Sequence, residues 1–320
     1  MDRAVVTGAA GFLGRHLVHC LHERDDIVRA VDIVVPESLR YEAEWVMADV
    51  RDAKTIAPAF EGMDVVYHLA SLIPQRKADI ETMRAVNVGG TKNVLECARY
   101  AGLRRAVYLS SVEIFGVPKI VPCPEEGELA PLGEYGRNKV EAEQLCRDAY
   151  SKGFPVTILR PPTITGPGLN EPFILSLLSS LHKGKPITLA GKGNNRFQFI
   201  HINDVVNACL LAAVHPAAPG EAFNIGGKDV PTLKELVQQV AAAVNSPSEV
   251  KLVPTALAKI GITILRLFGA APLEPEHLAI AICDYVFDWS KAKKILSWEP
   301  QFSVADALID TYHAIYGGSL

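Results

Sequence analysis

Three glycines spaced by three, set between an apolar run and a helical pattern, constrain the fold more than any other feature. Residues 7–14 read Thr-Gly-Ala-Ala-Gly-Phe-Leu-Gly, with the glycines at 8, 11 and 14. The apolar run 3–7 precedes them, and 12–23 carries Leu13, Leu17, Val18 and Leu21 at helical spacing. Glycine at such a junction lets the turn close, lets backbone approach a ligand and lets the helix settle on the strand. The unpaired N–H groups and partial positive charge of the helix start then face a phosphate. Gly8, Gly11, Phe12, Leu13 and Gly14 are therefore expected to cradle a dinucleotide pyrophosphate. Taken alone, a glycine triplet also occurs in plain turns.

Asp32 lies 18 residues beyond Gly14, within the second apolar run, 27–35. A carboxylate there accepts hydrogen bonds from an adenosine ribose and repels a 2′-phosphate, although aspartate at a strand end is also common. Ile33, Val34 and Val35 follow it, with no arginine. NAD is thus expected over NADP, with Asp32 and Ile33 at its adenosine end.

Beyond this unit the first half keeps alternating. Strand-like runs at 45–48, 64–70, 105–110 and 155–159 alternate with helical patterns at 54–60, 81–100 and 134–149. Such alternation predicts βαβ units, and near-continuous apolar strands predict a parallel sheet covered on both faces. After about residue 160 prolines shorten the elements, with helices expected at 173–182, 205–214, 233–244, 256–268 and 306–316 and a strand at 197–202. The expectation is an α/β, Rossmann-like doubly wound sheet over 1–165, to which 197–225 returns, with a smaller C-terminal α/β substrate lobe mainly from 166–320.

Composition narrows the class. Of 320 residues, 49% are hydrophobic and 21% charged, which excludes disorder, and a net charge of −4 argues against nucleic acid. The closest cysteines, Cys123 and Cys146, are 23 apart, so no metal cluster is expected and the reading is reduced thiols in the cytoplasm. No N-terminal targeting pattern is seen, and the apolar stretch 260–271 contains Arg266 and falls short of the ~20 residues of a membrane span.

Tyr135 and Lys139 stand four apart in a helical pattern, on one face. A cation beside a phenol favours phenolate, so Lys139 is expected to lower the Tyr135 pKa and ready it for proton exchange with a substrate hydroxyl. Ser110 and Ser111 end a strand, where α/β ligands bind, and Ser111 is placed to hydrogen-bond the substrate oxygen. Ser111 would also serve as a plain turn-forming serine.

These residues resemble the extended short-chain dehydrogenase/reductase family, which includes nucleotide-sugar epimerases and dehydratases and 3β-hydroxysteroid dehydrogenase-like enzymes. The resemblance runs through most of the chain: Thr7 to Gly14, Asp32, Asp49, Asp64 to Ala70, Asn87-Val88-Gly89-Gly90-Thr91, Ser110 to Gly116, Tyr135 with Lys139, Arg160-Pro161, Phe197 to Val205, Phe223 to Gly226 and Asp288 to Pro300. It implies Tyr135 as acid/base, Lys139 on the nicotinamide ribose and Ser111 orienting substrate. Asp49 and Val50 would contact adenine, while Leu69, Ala70, Ser71, Asn87, Ser110 and Pro162 would line the cofactor. His68 looks structural, and a homodimer through 81–100 and 134–149 is implied.

Which member it resembles stays open. Glu113 resembles the base of sugar-nucleotide dehydratases, but Val112 stands where their acid does, so Glu113 is either catalytic or structural. Phe197-Gln198-Phe199 replaces the Arg-Asp-Phe of sugar epimerases, with Arg196 one position away. The segment 253–273, with Leu257, Ile260, Ile264, Leu265, Leu267 and Phe268, is unusually apolar and reads either as a lid or as a buried helix. Three expectations follow: a nucleotide-sugar epimerase with tightly bound NAD, an NAD-dependent dehydrogenase or ketone reductase for an apolar alcohol, or a non-catalytic NAD-binding regulator.

Overall fold

Neighbouring residues of the first strand belong to different cores, and this sets the architecture. Ala4 and Val6 pack into one apolar cluster and Val5 into another, all fully buried. A period of two then demands cover on both faces of the sheet. The computed structural model describes residues 2–73, 79–257 and 279–317.

The chain runs β1 (Arg3–Thr7), α1 (Phe12–Glu23), β2 (Ile27–Asp32), β3 (Glu44–Met47), α2 (Ala53–Ile56) and β4 (Val65–His68). It continues through α3 (Ile80–Arg84), a π-turn at Ala85–Gly90, α4 (Thr91–Tyr100), β5 (Arg105–Leu109), α5 (Glu134–Ser151) and β6 (Val156–Arg160). The second part holds β7 (Thr163–Thr165), α6 (Pro172–His182), β8 (Ile187–Ala190), β9 (Phe199–His201) and α7 (Ile202–Val214). It ends with β10 (Ala222–Asn224), α8 (Leu233–Ala243), β11 (Val250–Val253), α9 (Ser290–Leu296) and α10 (Val304–Tyr316).

Seven strands form one parallel sheet in the order β10-β6-β5-β4-β1-β2-β3. The order reverses beside β1, so the crevice lies at the carboxyl ends of β1 and β4, where doubly wound folds bind ligands. One face is covered by α1, α7 and the fully buried Trp298; the other buries residues of α4 and α5 with Phe60.

The smaller lobe has its own cluster, including Leu178, Leu181, Leu236, Val240 and Leu308. Phe12 packs against both this cluster and the first, and His16 Nε2 lies 2.8 Å from the Pro167 carbonyl oxygen. The lobe therefore abuts the helix that opens at the glycine turn.

Three details differ from the sequence reading. The run 27–35 stops as a strand at Asp32, because its carboxylate accepts the N–H groups of Ile33 (2.7 Å) and Val34 (3.4 Å). The helical pattern 81–100 is broken by the π-turn that carries Asn87. Phe199–His201 does not join the large sheet but pairs with Thr163–Thr165; the segments that do reach it are α7, packed on its face, and β10 at its edge. Of the apolar segment 253–273, residues beyond Leu257 lie outside the described ones.

Candidate functional site

The glycine turn is built for backbone contact. Gly8 has φ +72°, and a Cβ on it would lie 2.6 Å from the Ala70 nitrogen. A Cβ on Gly14 would collide with the Gly8 carbonyl oxygen and lie 2.7 Å from Ala9 Cα. The helix α1 starts at Gly11 with no side-chain cap and no acidic residue in its first turn. Its first N–H groups, on Phe12, Leu13 and Gly14, have no intrahelical acceptor and present positive charge to an anion. Asp32 braces this turn from the next strand, accepting the Ala10 N–H at 2.9 Å.

The residues expected at the adenine are engaged within the protein. Arg51 binds the Asp49 carboxylate through its Nε (2.9 and 3.1 Å) and Nη2 (2.6 Å), and holds its carboxyl below the usual range. Val50 is buried against Gly90, and the Ile33 side chain faces solvent.

A buried polar thread runs from the glycine turn toward Tyr135. Thr7 Oγ1 lies 2.7 Å from His68 Nδ1, and His68 Nε2 lies 2.9 Å from Thr91 Oγ1. Thr91 donates its own hydrogen to the Asn87 carbonyl (2.6 Å), so His68 Nε2 donates and Nδ1 accepts from Thr7. Full burial pushes the His68 pKa down to about 3 and keeps the ring neutral. The Asn87 side chain clamps the Leu72 peptide, accepting its N–H at 2.7 Å and donating to its carbonyl at 2.9 Å. Its Oδ1 also accepts from Ser71 Oγ at 3.0 Å.

Tyr135 stands in the first turn of α5, and the nearby hydroxyls of Ser71 and Ser111 pull its pKa down. Ser111 accepts the Glu113 N–H at 3.2 Å, which leaves its hydroxyl hydrogen for Tyr135 or a ligand. Lys139 is buried, donates to the Leu109 carbonyl oxygen at 2.7 Å and lies 5.5 Å from the Tyr135 ring centre.

The expected lowering of the Tyr135 pKa is not what the structure shows. Burial, then the Glu113 carboxylate, push the phenol up. Burial likewise lowers Lys139 from 10.5 to about 8. The cation is turned to a backbone carbonyl, so desolvation outweighs its attraction for phenolate.

Ser110 also departs from its expected place. Its hydroxyl donates to Glu143 (2.7 Å), which pairs with Arg160 at 2.8 and 2.6 Å; both charged side chains are out of solvent. That side chain is therefore committed to the scaffold. Pro162, just past β6, is buried. The thread itself, the Glu143–Arg160 pair and Tyr285 escaped the sequence reading.

Beside Tyr135 and Glu113 stands an aromatic wall. Phe115 stacks with Phe287, which meets Tyr285 edge-on, and Tyr285 stacks with Phe197. Tyr285 is buried, its phenol is raised by desolvation and then by Glu113, and its hydroxyl has no hydrogen-bond partner among the described residues. Next to Phe197, Arg196 is tied to Asp284 through its Nε (3.3 Å), Nη2 (2.8 Å) and backbone N–H (2.8 Å). Among the described residues no group of three or more His, Cys, Asp or Glu could hold a metal, and no helix is long and apolar enough to cross a membrane.

The profile of the NAD dependent epimerase/dehydratase family matches residues 4–226. The chain is 29% identical to UDP-glucose 4-epimerase of Vibrio cholerae, over 97% of this chain and 94% of that one. It is also 29% identical to 3 beta-hydroxysteroid dehydrogenase/Delta 5-->4-isomerase of Mycobacterium tuberculosis (strain H37Rv), over 97% and 89%. A crystal structure of UDP-galactose 4-epimerase superposes with a TM-score of 0.78 at 26% identity, over 99% of this chain and 100% of that one.

Proposed function

Because the chain belongs to the NAD dependent epimerase/dehydratase family, within the extended short-chain dehydrogenase/reductases, we propose that it is an NAD-linked oxidoreductase for a secondary hydroxyl or keto group on an apolar substrate. Membership in an enzyme family sets aside the reading as a non-catalytic regulator. The observation that carries the substrate class is Phe197. It stands where sugar epimerases have the arginine of Arg-Asp-Phe, stacked on Tyr285, while neighbouring Arg196 is already neutralised by Asp284. Among the described residues the wall beside Tyr135 is thus aromatic, and the Arg196 next to it is tied to Asp284.

The residues fit the cofactor. The space at Gly8 and Gly14 that a Cβ would fill, with the α1 N–H groups, would hold the pyrophosphate, Asp32 the adenosine ribose and Lys139 the nicotinamide ribose. When bound, NAD exchanges a hydride with the substrate carbon. Tyr135 takes the proton from a substrate hydroxyl in oxidation or gives it to a keto oxygen in reduction. Ser111 turns its free hydrogen to the same oxygen, and Glu113 sets the local charge.

A second reading is a nucleotide-sugar epimerase, in which the hydride returns to the other face of the sugar. Its support is the likeness to UDP-glucose 4-epimerase over nearly the whole chain. In either reading we take α4 and α5, packed side by side, as the pairing face of a homodimer, and the free cysteines as suited to the cytoplasm.

The deciding experiment incubates the protein and NAD with steroid-like secondary alcohols and, separately, with UDP-, GDP- and dTDP-sugars. Stoichiometric NADH with an apolar alcohol is expected. Isomerised sugar without net NADH overturns the proposal in favour of the second reading. Tyr135→Phe should lower turnover by about 10²–10⁴-fold while NAD stays bound.

A further inference from the structure

We propose that Glu143 is a positioning residue: together with Lys139 it grips the Leu109–Ser110 end of β5 and so holds α5, which carries Tyr135, in register with Ser111. The proposal rests on the reading of Tyr135 as acid/base and adds to it what keeps that residue and Ser111 facing the same place.

Tyr135, Lys139 and Glu143 recur every four residues along α5, on one face of the helix. Strand β5 ends at Leu109, and the chain then leaves the sheet for the turn at Val112–Phe115. Lys139 Nζ donates to the Leu109 carbonyl at 2.7 Å, and the Ser110 hydroxyl donates to Glu143 Oε1 at 2.7 Å. Consecutive residues of the strand end are thus tied to consecutive turns of the helix. One such bond could follow a slide of α5 by swinging its side chain. Two bonds, a helical turn apart, resist the slide together.

The Glu143 end is itself fixed. Its Oε1 also accepts Arg160 Nε at 2.8 Å, and its Oε2 accepts Arg160 Nη2 at 2.6 Å and Arg147 Nη2 at 3.1 Å. Arg160 closes β6, and its Nη1 donates to the Glu125 carbonyl at 2.9 Å. Glu143 and Arg160 are each 2% exposed. Desolvation offsets much of the attraction in a buried pair, so its net stability is small and the fixing of register is its best-attested use. Ser110 is held on its other side as well, where its N–H donates to the Leu159 carbonyl at 2.7 Å. The Arg160 guanidinium also lies 5.3 Å from the centre of the Phe115 ring, so the same pair backs the aromatic wall.

The test uses the full-length protein, saturated with NAD and labelled with ¹³Cζ-tyrosine; Tyr135→Phe assigns the line. Cζ lies on the axis of ring rotation, so its line reports displacement of the residue and not flipping of the ring. Glu143→Gln would strip Arg160 of its buried countercharge and lose stability for that reason alone. Ser110→Ala is therefore the deciding variant: it cuts the Glu143 contact to β5 and leaves the ion pair whole. Tyr135 should give one narrow line in the wild type and a broadened or divided line in Ser110→Ala. Thr311→Ala controls for lost stability, because it likewise removes a buried hydroxyl, one that donates to the Ala307 carbonyl at 2.6 Å within α10; its Tyr135 line should match the wild type. A Ser110→Ala line indistinguishable from wild type, or the same change in Thr311→Ala, overturns the proposal. The assay needs no substrate, so a failed substrate panel sinks the function reading and leaves this result standing.

Discussion

Lys139 Nζ lies 5.5 Å from the centre of the Tyr135 ring and gives its hydrogen bond to the Leu109 carbonyl, 2.7 Å away. Burial lowers this ammonium from 10.5 to about 8. The unfolded chain therefore binds a proton that the folded chain has released between about pH 8 and 10.5. Stability attributable to Lys139 rises with pH across that window, by roughly 3 kcal/mol in all at about 1.4 kcal/mol per unit. Lys139→Met should lack the rise, and subtracting its urea-unfolding free energies from those of wild type at each pH isolates the residue. Parallel curves for the two proteins would contradict the assigned shift.

His68 has the opposite ordinary charge state and a matching acid signature. Its pKa falls from 6.5 to about 3, so between these values the unfolded chain takes up a proton that the folded chain refuses. Its contribution is whole above pH 6.5 and is lost as pH falls, again at about 1.4 kcal/mol per unit. His68→Gln, which keeps polar atoms but does not titrate there, should lose stability less steeply below pH 6.5. Nitrogen-15 NMR of the wild type should show the hydrogen on Nε2 and not on Nδ1.

The parts of this site legible in the sequence are those carried by local spacing. Gly8, Gly11 and Gly14 sit within one turn, and Tyr135 and Lys139 within one helical turn, so a short pattern suffices to find them. The thread through Thr7, His68, Thr91, Asn87 and Ser71 joins residues up to 61 positions apart, and its order depends on the parallel register of β1 and β4. The wall of Phe115, Phe197, Tyr285 and Phe287 spans the two lobes in the same way. The sign of the Tyr135 shift was missed for another reason. Spacing shows that Lys139 shares its face but not that both groups are buried, and burial decides the outcome.

Gly14 makes the closest approach of helix α1 to the glycine turn, against the Gly8 carbonyl oxygen and Ala9. The obstacle is backbone, which cannot swing aside as a side chain can. Gly14→Ala should cost about 1–3 kcal/mol of stability and weaken NAD by about tenfold or more, since the turn that presents the α1 N–H groups must shift. Isothermal titration with NAD together with thermal unfolding separates the two effects. NAD affinity equal to wild type would show that the turn tolerates the methyl group.

Glu113 raises both Tyr135 and Tyr285, so its charge is felt across the site. The Glu113→Gln substitution removes that charge and keeps the shape. If Glu113 acts through Tyr135, losing a negative neighbour favours the phenolate, and the Tyr135 pKa falls. Alcohol oxidation needs the phenolate, so the ascending limb of its kcat/KM profile, where activity rises as Tyr135 deprotonates, should move to lower pH, by about one unit for about 1.4 kcal/mol of lost repulsion. A carboxylate that itself removes a substrate proton predicts something different: a fall of about 10²–10⁴-fold in kcat with the limb unmoved. Measuring kcat and kcat/KM against pH for wild type and Glu113→Gln distinguishes these roles, and the burial of Tyr135 beside Glu113 favours the shifted limb.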